Sequence, residues 1–430
     1  MRLPRGALQS RNFRLLVACD VISGTGNAVA IVAIPFAVLA IGGSASDVGY
    51  VATASLIPML VFLLFGGVAG DRLPRHKVMM AANSLQALAQ GVSAVLVLTH
   101  HAFVWELLVL AAARGTGLGF YFPAAQGLLP QTVPEEHRAQ ANAISRTGRN
   151  SAGIGGAALG GLLVGLAGPG WGLAVDAVSF AVAAALRSGM RFAAIPPGAR
   201  DSTLHEMREG WREFATRRWL WSIVLEFTAM TAVTSGTINV LGPVVADTRL
   251  GGARSWGLIL AAYGIGAVLG GLAMMRFRPQ RMLLVASIGA GVFAVLLFAL
   301  AVPLAVPLIM AAAVLVGISA EVFLVNWVTT MQQEIPHDLL SRLSSFDAIG
   351  SFALAPAGVA AAGPLAATFG ISAVLVTGGL LIVLLTLAVL LVPEVRQMRR
   401  RSPESGLTSL DEPAAAQAGA GATAQTAEPG

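Results

Sequence analysis

Long apolar runs, interrupted at short intervals by glycine, proline or clustered charge, occupy the chain from about residue 15 to residue 392. A helix needs about 20 apolar residues to cross a bilayer. Twelve runs qualify, centred near Val29, Ile57, Val92, Leu110, Gly156, Ala181, Ala232, Ala262, Phe293, Val314, Ala355 and Ile382. One connector breaks the rhythm. Between about Arg191 and Trp219, Leu204, Met207, Trp211 and Phe214 fall near one helical face, with Glu206, Arg208, Glu209, Arg212 and Glu213 mostly elsewhere. That pattern predicts an amphipathic helix lying along the membrane surface. It divides the spans six and six, so the expected organisation is a six-helix bundle in residues 1–190, a linker in 191–218, a second bundle in 219–392 and a tail in 393–430. The tail is rich in Ala, Gly, Pro, Ser and Thr without an apolar period, which predicts disorder.

Composition agrees with a membrane protein. Of 430 residues, 56% are hydrophobic and only 12% charged, where a soluble domain is about one quarter charged. Twelve spans leave no room for a sizeable soluble domain. The net charge of +6 would suggest nucleic acid in a soluble chain, but its distribution argues otherwise. Alternate connectors, starting from the N-terminus, hold four, three, one, seven, three, one and four basic residues, with Arg187 counted in the longest; the remaining connectors hold only Arg249 and Arg254. By the positive-inside rule both termini are expected in the cytoplasm, in the inner membrane, with no nucleic-acid partner. The lone cysteine, Cys19, leaves no internal disulfide and no Cys-based metal site. No nucleotide-binding loop, nucleophile elbow or metal pair is legible, so no cofactor, no metal and no enzymatic activity are expected.

The two halves repeat at an offset near 200. GGVAGDRLPRHK (Gly66 to Lys77) lies opposite GGLAMMRFRPQR (Gly270 to Arg281), where the acid of the first copy is replaced by Met275. VPEEHR (Val133 to Arg138) and IPHDLLSR (Ile335 to Arg342) each precede a glycine-rich span, which sets Gly156 opposite Gly358. Duplicated six-span halves suit a carrier that rocks two bundles around a midplane site. At these residues the chain resembles the major facilitator superfamily over nearly its whole length. The segments RGTGLGFYFPAAQGLLPQTVP, QANAISRTGRN and GLAVDAVSF are similar to the branch that holds the enterobactin exporter and the macrolide efflux pumps. The fold class implied is an all-α membrane protein of twelve transmembrane helices in two pseudo-symmetric six-helix bundles.

The resemblance assigns Gly66, Gly70, Asp71, Arg72 and Arg75 to a gate that closes the cytoplasmic side, with Asp347 as a second acid; a solvated topogenic cluster is the alternative for the arginines. Charge within a span is costly without a partner or a wet cavity, which makes Asp20, Arg114, Glu226 and Glu321 candidates for proton coupling. Asp20 and Glu226 are the expected partners of Arg114, and Asp176 is split between a structural hydrogen bond and transport. Asn27, Tyr121, Asn239, Tyr263, Asn326 and Trp327, with Phe36 and Phe120, are candidate walls of a cavity for amphipathic cargo. Gly156, Gly160 and Gly161 resemble a degraded antiporter motif and also allow plain close packing. The expected function is a secondary active transporter, working as a monomer in the lipid bilayer, that exports amphipathic organic small molecules of drug or macrolide type in exchange for protons. The rivals are a siderophore or biosynthetic-product exporter and a sensor or scaffold that does not transport.

Overall fold

The computed structural model describes residues 6–190, 212–302, 304–335 and 337–400, without the side chains of residues 64, 66–72, 337, 338, 340–342, 345, 348 and 349. The described residues are helical, with no strands, and twelve helices are long and apolar enough to cross a membrane. In the first half they are α1 (Arg11–Ala40), α2 (Ala45–Arg72), α3 (Arg75–Leu98), α4 (Val104–Thr132), α5 (Arg138–Ala167) and α6 (Pro169–Ser188). The second half holds α7 (Arg218–Arg249), α8 (Ala253–Arg276), α9 (Met282–Ala301) and α10 (Val306–Glu334). Its eleventh span, Gly350–Phe369, joins the end of α11 (His337–Phe352) to α12 (Ala355–Phe369); α13 (Ile371–Leu390) is the twelfth, followed by the short α14 (Pro393–Gln397).

The first and last described residues lie on one face. Ser10 caps α1, its Oγ accepting from Phe13 N at 3.2 Å and donating to Thr132 O at 2.6 Å, which ties the N-terminus to the end of α4. Arg400 N donates to Gln280 O at 2.8 Å, tying the C-terminal end to the α8–α9 connection. The opposite side is called the far face below. There Gly168 and Gly370, with φ of 92° and 84°, each join two helices through a single residue, α5 to α6 and α12 to α13. Glycine alone adopts this region without strain, and the two turns sit at equivalent places in the repeat.

Side-chain packing repeats in the same way. In the first half α2 packs on α4, α3 on α6 and α5 on α1; in the second α8 packs on α10, α9 on α13 and α12 on α7. Close approaches match: a Cβ at Gly156 would lie 2.6 Å from Thr25 O of α1, and Gly358 stands tighter still against Ala232 O of α7. Without side chains at these points the backbones touch, which is how helices associate where lipid supplies no hydrophobic drive. The bundles meet through two related seams, α5 against α8 and α2 against α12.

Two helices depart from the expected runs, both near proline. The eleventh span was expected as one helix centred on Ala355; it is broken between Phe352 and Ala355, because Pro356 has no N–H to bond Phe352 O four residues back and its ring would clash with that carbonyl. In α7 a π turn at Thr237–Leu241 precedes Pro243. The wider turn absorbs the donor that proline removes. The linker's amphipathic helix falls mostly outside the described residues; 212–216 are helical, and Phe214 is buried 6.2 Å from Phe346. The tail beyond residue 400 also lies outside them.

Candidate functional site

A cavity of about 220 Å³ opens among α1, α2, α3, α4 and the π turn of α7. Its walls are apolar, with Ile31, Ile34, Leu56, Met59, Leu107 and Leu118 prominent. Its polar groups are Asn27, Ser55, Gln90, Ser93, Arg114 and Asn239. Asn239 comes from the second half. Its Nδ2 donates to Ser235 O at 2.9 Å, four residues back, and the widened turn carries it to the cavity.

Arg114 is held from two helices, and a third holds its counter-charge. Its Nη2 donates to Asn27 Oδ1 at 2.5 Å, and its Nε lies 4.0 Å from Asp176 Oδ2 of α6. Gln90 Nε2 of α3 donates to the same Asp176 oxygen at 2.6 Å. Neither expected partner of Arg114 is present at it: Asp20 and Glu226 are engaged elsewhere, and Asp176 is the counter-charge. The reason is register, since Asp176 lies on the α6 face turned toward α3 and α1, where Gly26 leaves room beside Ser179 and Asp176. Asp176 is fully buried and Arg114 nearly so, reaching the cavity wall, and Arg114 Nε and Asp176 Oδ1 have no hydrogen bond.

A second knot lies about two to three turns nearer the described ends of the chain. Asp20 Oδ1 accepts from Arg187 Nη2 at 2.7 Å and from Tyr121 OH at 2.8 Å, while Arg149 Nη1 stands 4.0 Å from Oδ2. The Arg187 guanidinium also donates to Tyr121 OH at 3.1 Å and lies 5.2 Å from that ring's centre. Tyr121 therefore belongs to this knot and not to the cavity. Arg187 was counted as a connector residue, yet it is 0% exposed. The available signal was the absence of any break between Ala181 and Leu186 before it. The polar stripe Asn83, Gln86, Gln90 and Ser93 on one face of α3, all buried, was also legible as three- and four-residue spacing and was missed.

The bundles are bridged by Arg146 Nη2 of α5 donating to Glu321 Oε1 of α10 at 2.5 Å. The Arg146 side chain is 55% exposed. Glu321 packs over Gly270 and Gly271 of α8, where a Cβ on Gly270 would lie 3.2 Å from its Cβ. Glu226 sits elsewhere, buried between α7, α9 and α13, with Thr386 Oγ1 donating to its Oε1 at 2.9 Å. It does not line the cavity. Nor do Asn326, whose Nδ2 donates to Val322 O at 2.8 Å on its own helix, or Trp327, whose Nε1 donates to Asp347 Oδ2 at 3.1 Å. Ser351 Oγ donates to the other Asp347 oxygen at 3.2 Å, so Asp347 is bound within its own bundle. Tyr263 lines a small apolar pocket with Phe293 and Leu297. Phe36 is buried, and Phe120 faces Phe62 at 5.4 Å.

Of the gate residues, Gly66, Gly70, Asp71 and Arg72 fall in the end of α2 whose side chains are outside the description. Arg75 Nη1 donates to Gly127 O of α4 at 2.6 Å. Gly156 and Gly160 pack α5 on α1 at Thr25 and Val29, whereas Gly161 packs α5 on Gly257 of α8, across the two bundles.

A repeated pair of six-helix bundles with a cavity among their helices is a carrier architecture, and family comparison agrees. The family model described as Major Facilitator Superfamily matches residues 16–356. The chain belongs to the major facilitator superfamily. It is a membrane transporter and not an enzyme. It is 29% identical over 398 residues to the multidrug efflux pump Tap of Mycolicibacterium fortuitum, covering 89% of this chain and 96% of that protein. The enterobactin exporter EntS of Salmonella paratyphi A is 25% identical over 386 residues, covering 87% and 90%. The enterobactin exporter branch expected from the sequence is therefore among the relatives. In fold, the chain is similar to the nucleoside transporter NupG, with TM-score 0.70 at 10% identity over 89% of this chain and 98% of that one. A bacterial homologue of the human lysosomal transporter Spinster gives TM-score 0.65 at 18% identity, over 92% of this chain and all of that one.

Proposed function

We propose that this carrier exports amphipathic organic molecules of drug or macrolide type from the cytoplasm, in exchange for protons, by alternating access. The observation that carries the reading is the cavity: apolar walls from α1, α2 and α4 around a few polar groups, with Asn239 contributed by the opposite bundle. Such a surface suits a molecule that is mostly apolar and presents one or two hydrogen-bonding groups. Names of relatives, a multidrug efflux pump and an enterobactin exporter, support outward movement.

The moving bodies are residues 1–190 and 219–392, joined by the linker at 191–218. The glycine contacts between them among the described residues run from the far face to mid-depth: Gly49 and Gly363 in the α2–α12 seam, Gly161, Gly165, Gly257 and Gly264 in the α5–α8 seam. This arrangement closes the far face. With the basic terminus-bearing face in the cytoplasm, cargo enters from the cytoplasm, and separation of the two seams releases it outside. The Asp71, Arg72 and Arg75 cluster, placed by Gly66 and Gly70, holds the cytoplasmic side shut in the opposite conformation, and the protein works as a monomer in the inner membrane.

The test is accumulation of ethidium in cells whose other pumps are deleted. Cells expressing the protein should retain several-fold less dye than cells expressing an Arg114→Lys, Asn239→Ala variant shown to reach the membrane in equal amount. Equal retention in the two strains would remove the cavity from the transport path. A cargo that is a siderophore or another biosynthetic product remains the second reading, favoured by the cationic Arg114 at the cavity wall, and competition between ethidium and a catecholate separates the two.

A further inference from the structure

We infer that Glu226 is the group that takes up and gives back the coupling proton, and that Asp20, its counterpart in the first half, is a fixed structural charge. This rests on the proton-coupled reading above. The two acids occupy equivalent places: Asp20 is the tenth residue of α1 and Glu226 the ninth of α7, the first helix of each half. Each faces the end of the sixth helix of its half, at Arg187 in α6 and at Thr386 in α13. The repeat has kept the acid and changed what opposes it.

In the first half the acid is neutralised three ways, by Arg187 at 2.7 Å, by the Tyr121 hydroxyl at 2.8 Å and by Arg149 at 4.0 Å. A proton added to Asp20 would leave the fully buried Arg187 guanidinium without its counter-charge, and breaking one side of such a pair is strongly unfavourable. In the second half the acid meets only hydroxyls. Thr386 Oγ1 donates to Oε1 at 2.9 Å, and the buried Ser287 hydroxyl of α9 stands beside the carboxyl. Among the described residues, no cation stands against Glu226. The sequences of α9, α12 and α13 contain no ionisable residue. On α11, Asp347 is bound to Trp327 and Ser351, and the side chains of His337, Asp338 and Arg342 lie outside the description. On α10, Glu321 is paired with Arg146, and Glu334 stands at the helix end. The short α14 carries Glu394 and Arg396, and the nearest charge before Glu226 on α7 is Arg218, two turns away.

An ionised carboxylate here would be a lone buried charge, whereas the neutral acid supplies an O–H donor that Ser287 Oγ can accept. The exchange therefore needs only a proton moving between water and one carboxyl oxygen, with no other charge displaced. A conformational link is at hand. Two residues along α7, the Thr228 hydroxyl shares its one proton between Val224 O at 2.6 Å and Gly350 O at 2.8 Å, the latter just before the α11–α12 break. Movement of that broken span reaches Glu226 through Thr228 and changes its access to water.

The test uses purified protein in lipid vesicles with ethidium as cargo. Infrared difference spectra between high and low pH should contain a carboxylic-acid C=O band that shifts in D₂O; Glu226→Gln should remove it and Asp20→Asn should not. Glu226→Gln should keep ethidium exchange across the membrane within about threefold while losing at least tenfold of the uphill transport driven by a proton gradient. Glu226→Asp should restore most of that loss. Asp20→Asn should lower thermal stability and depress both transport modes together. Full gradient-driven transport by Glu226→Gln, or persistence of the band in it, would overturn the assignment. A wild-type protein that moves ethidium without protons would overturn the coupled reading itself, and is recognised because the wild type fails and not the variant.

Discussion

Gly257 faces Gly161 across the α5–α8 seam, and a Cβ on it would stand 2.6 Å from both Ala157 O and the Gly161 Cα. Ordinary contact begins at 3.4 Å, so even Gly257→Ala must part the two backbones by about 1 Å, and backbone cannot swing aside as a side chain can. Overpacking of a fitted interface costs about 1–3 kcal/mol. The cost falls only on the conformation in which the far face is closed, so the equilibrium should move toward far-face opening by roughly 5- to 150-fold. Spin labels on cysteines replacing Leu166 and Leu308, both exposed near the far face in opposite halves, report that opening as a longer distance; the buried Cys19 stays unlabelled. Gly153→Ala serves as the control, because a Cβ there meets nothing within 4 Å. An unchanged distance distribution in folded Gly257→Ala, or an equal change in Gly153→Ala, would refute the assignment of this seam as the moving contact.

Four further outcomes follow from the same geometry. Arg187→Leu should destabilise the protein by about 3–5 kcal/mol by stranding Asp20, and Asp20→Asn in the same molecule should recover part of the loss, as read by thermal unfolding in detergent. Because the Arg146 side chain is 55% exposed, its pair with Glu321 should be worth no more than about 1 kcal/mol; charge reversal at one position should slow transport, and reversal at both should restore it. Asn239→Ala should raise the half-saturating cargo concentration several-fold while leaving the thermal midpoint nearly unchanged, since the side chain bonds only to its own helix. Asp71→Asn should lower turnover without reducing membrane insertion, measured by transport normalised to surface-labelled protein.

The spans and the repeat were legible because lipid imposes a long, one-sided demand on composition that survives without knowledge of tertiary contacts. The broken eleventh span was less so: the run around Ala355 is uniformly apolar, and only Pro356 marked the break. Individual site residues divided by whether their partner was implied by type. Arg114, Asp20, Glu226 and Glu321 stand out as charges in apolar runs, but which charge meets which depends on helix rotation, and a rotation of one residue turns a side chain by about 100°. Hence Asp176, and not Asp20 or Glu226, faces Arg114. Arg187 was hidden by standing four residues before Arg191, where it reads as the first charge of a connector. Asn326 and Trp327 looked like cavity groups because polar and aromatic residues in spans often line one; here they satisfy a backbone carbonyl and Asp347 instead.

The central claim is exchange of protons for cargo across two rocking bundles. It is tested most directly in inverted vesicles energised to an acid interior, with a pH-sensitive dye and cargo uptake followed together. The account predicts that adding ethidium partly collapses the gradient while ethidium accumulates inside, and that dissipating the gradient beforehand abolishes both signals. Ethidium accumulation that leaves the gradient untouched and persists after its dissipation would contradict it.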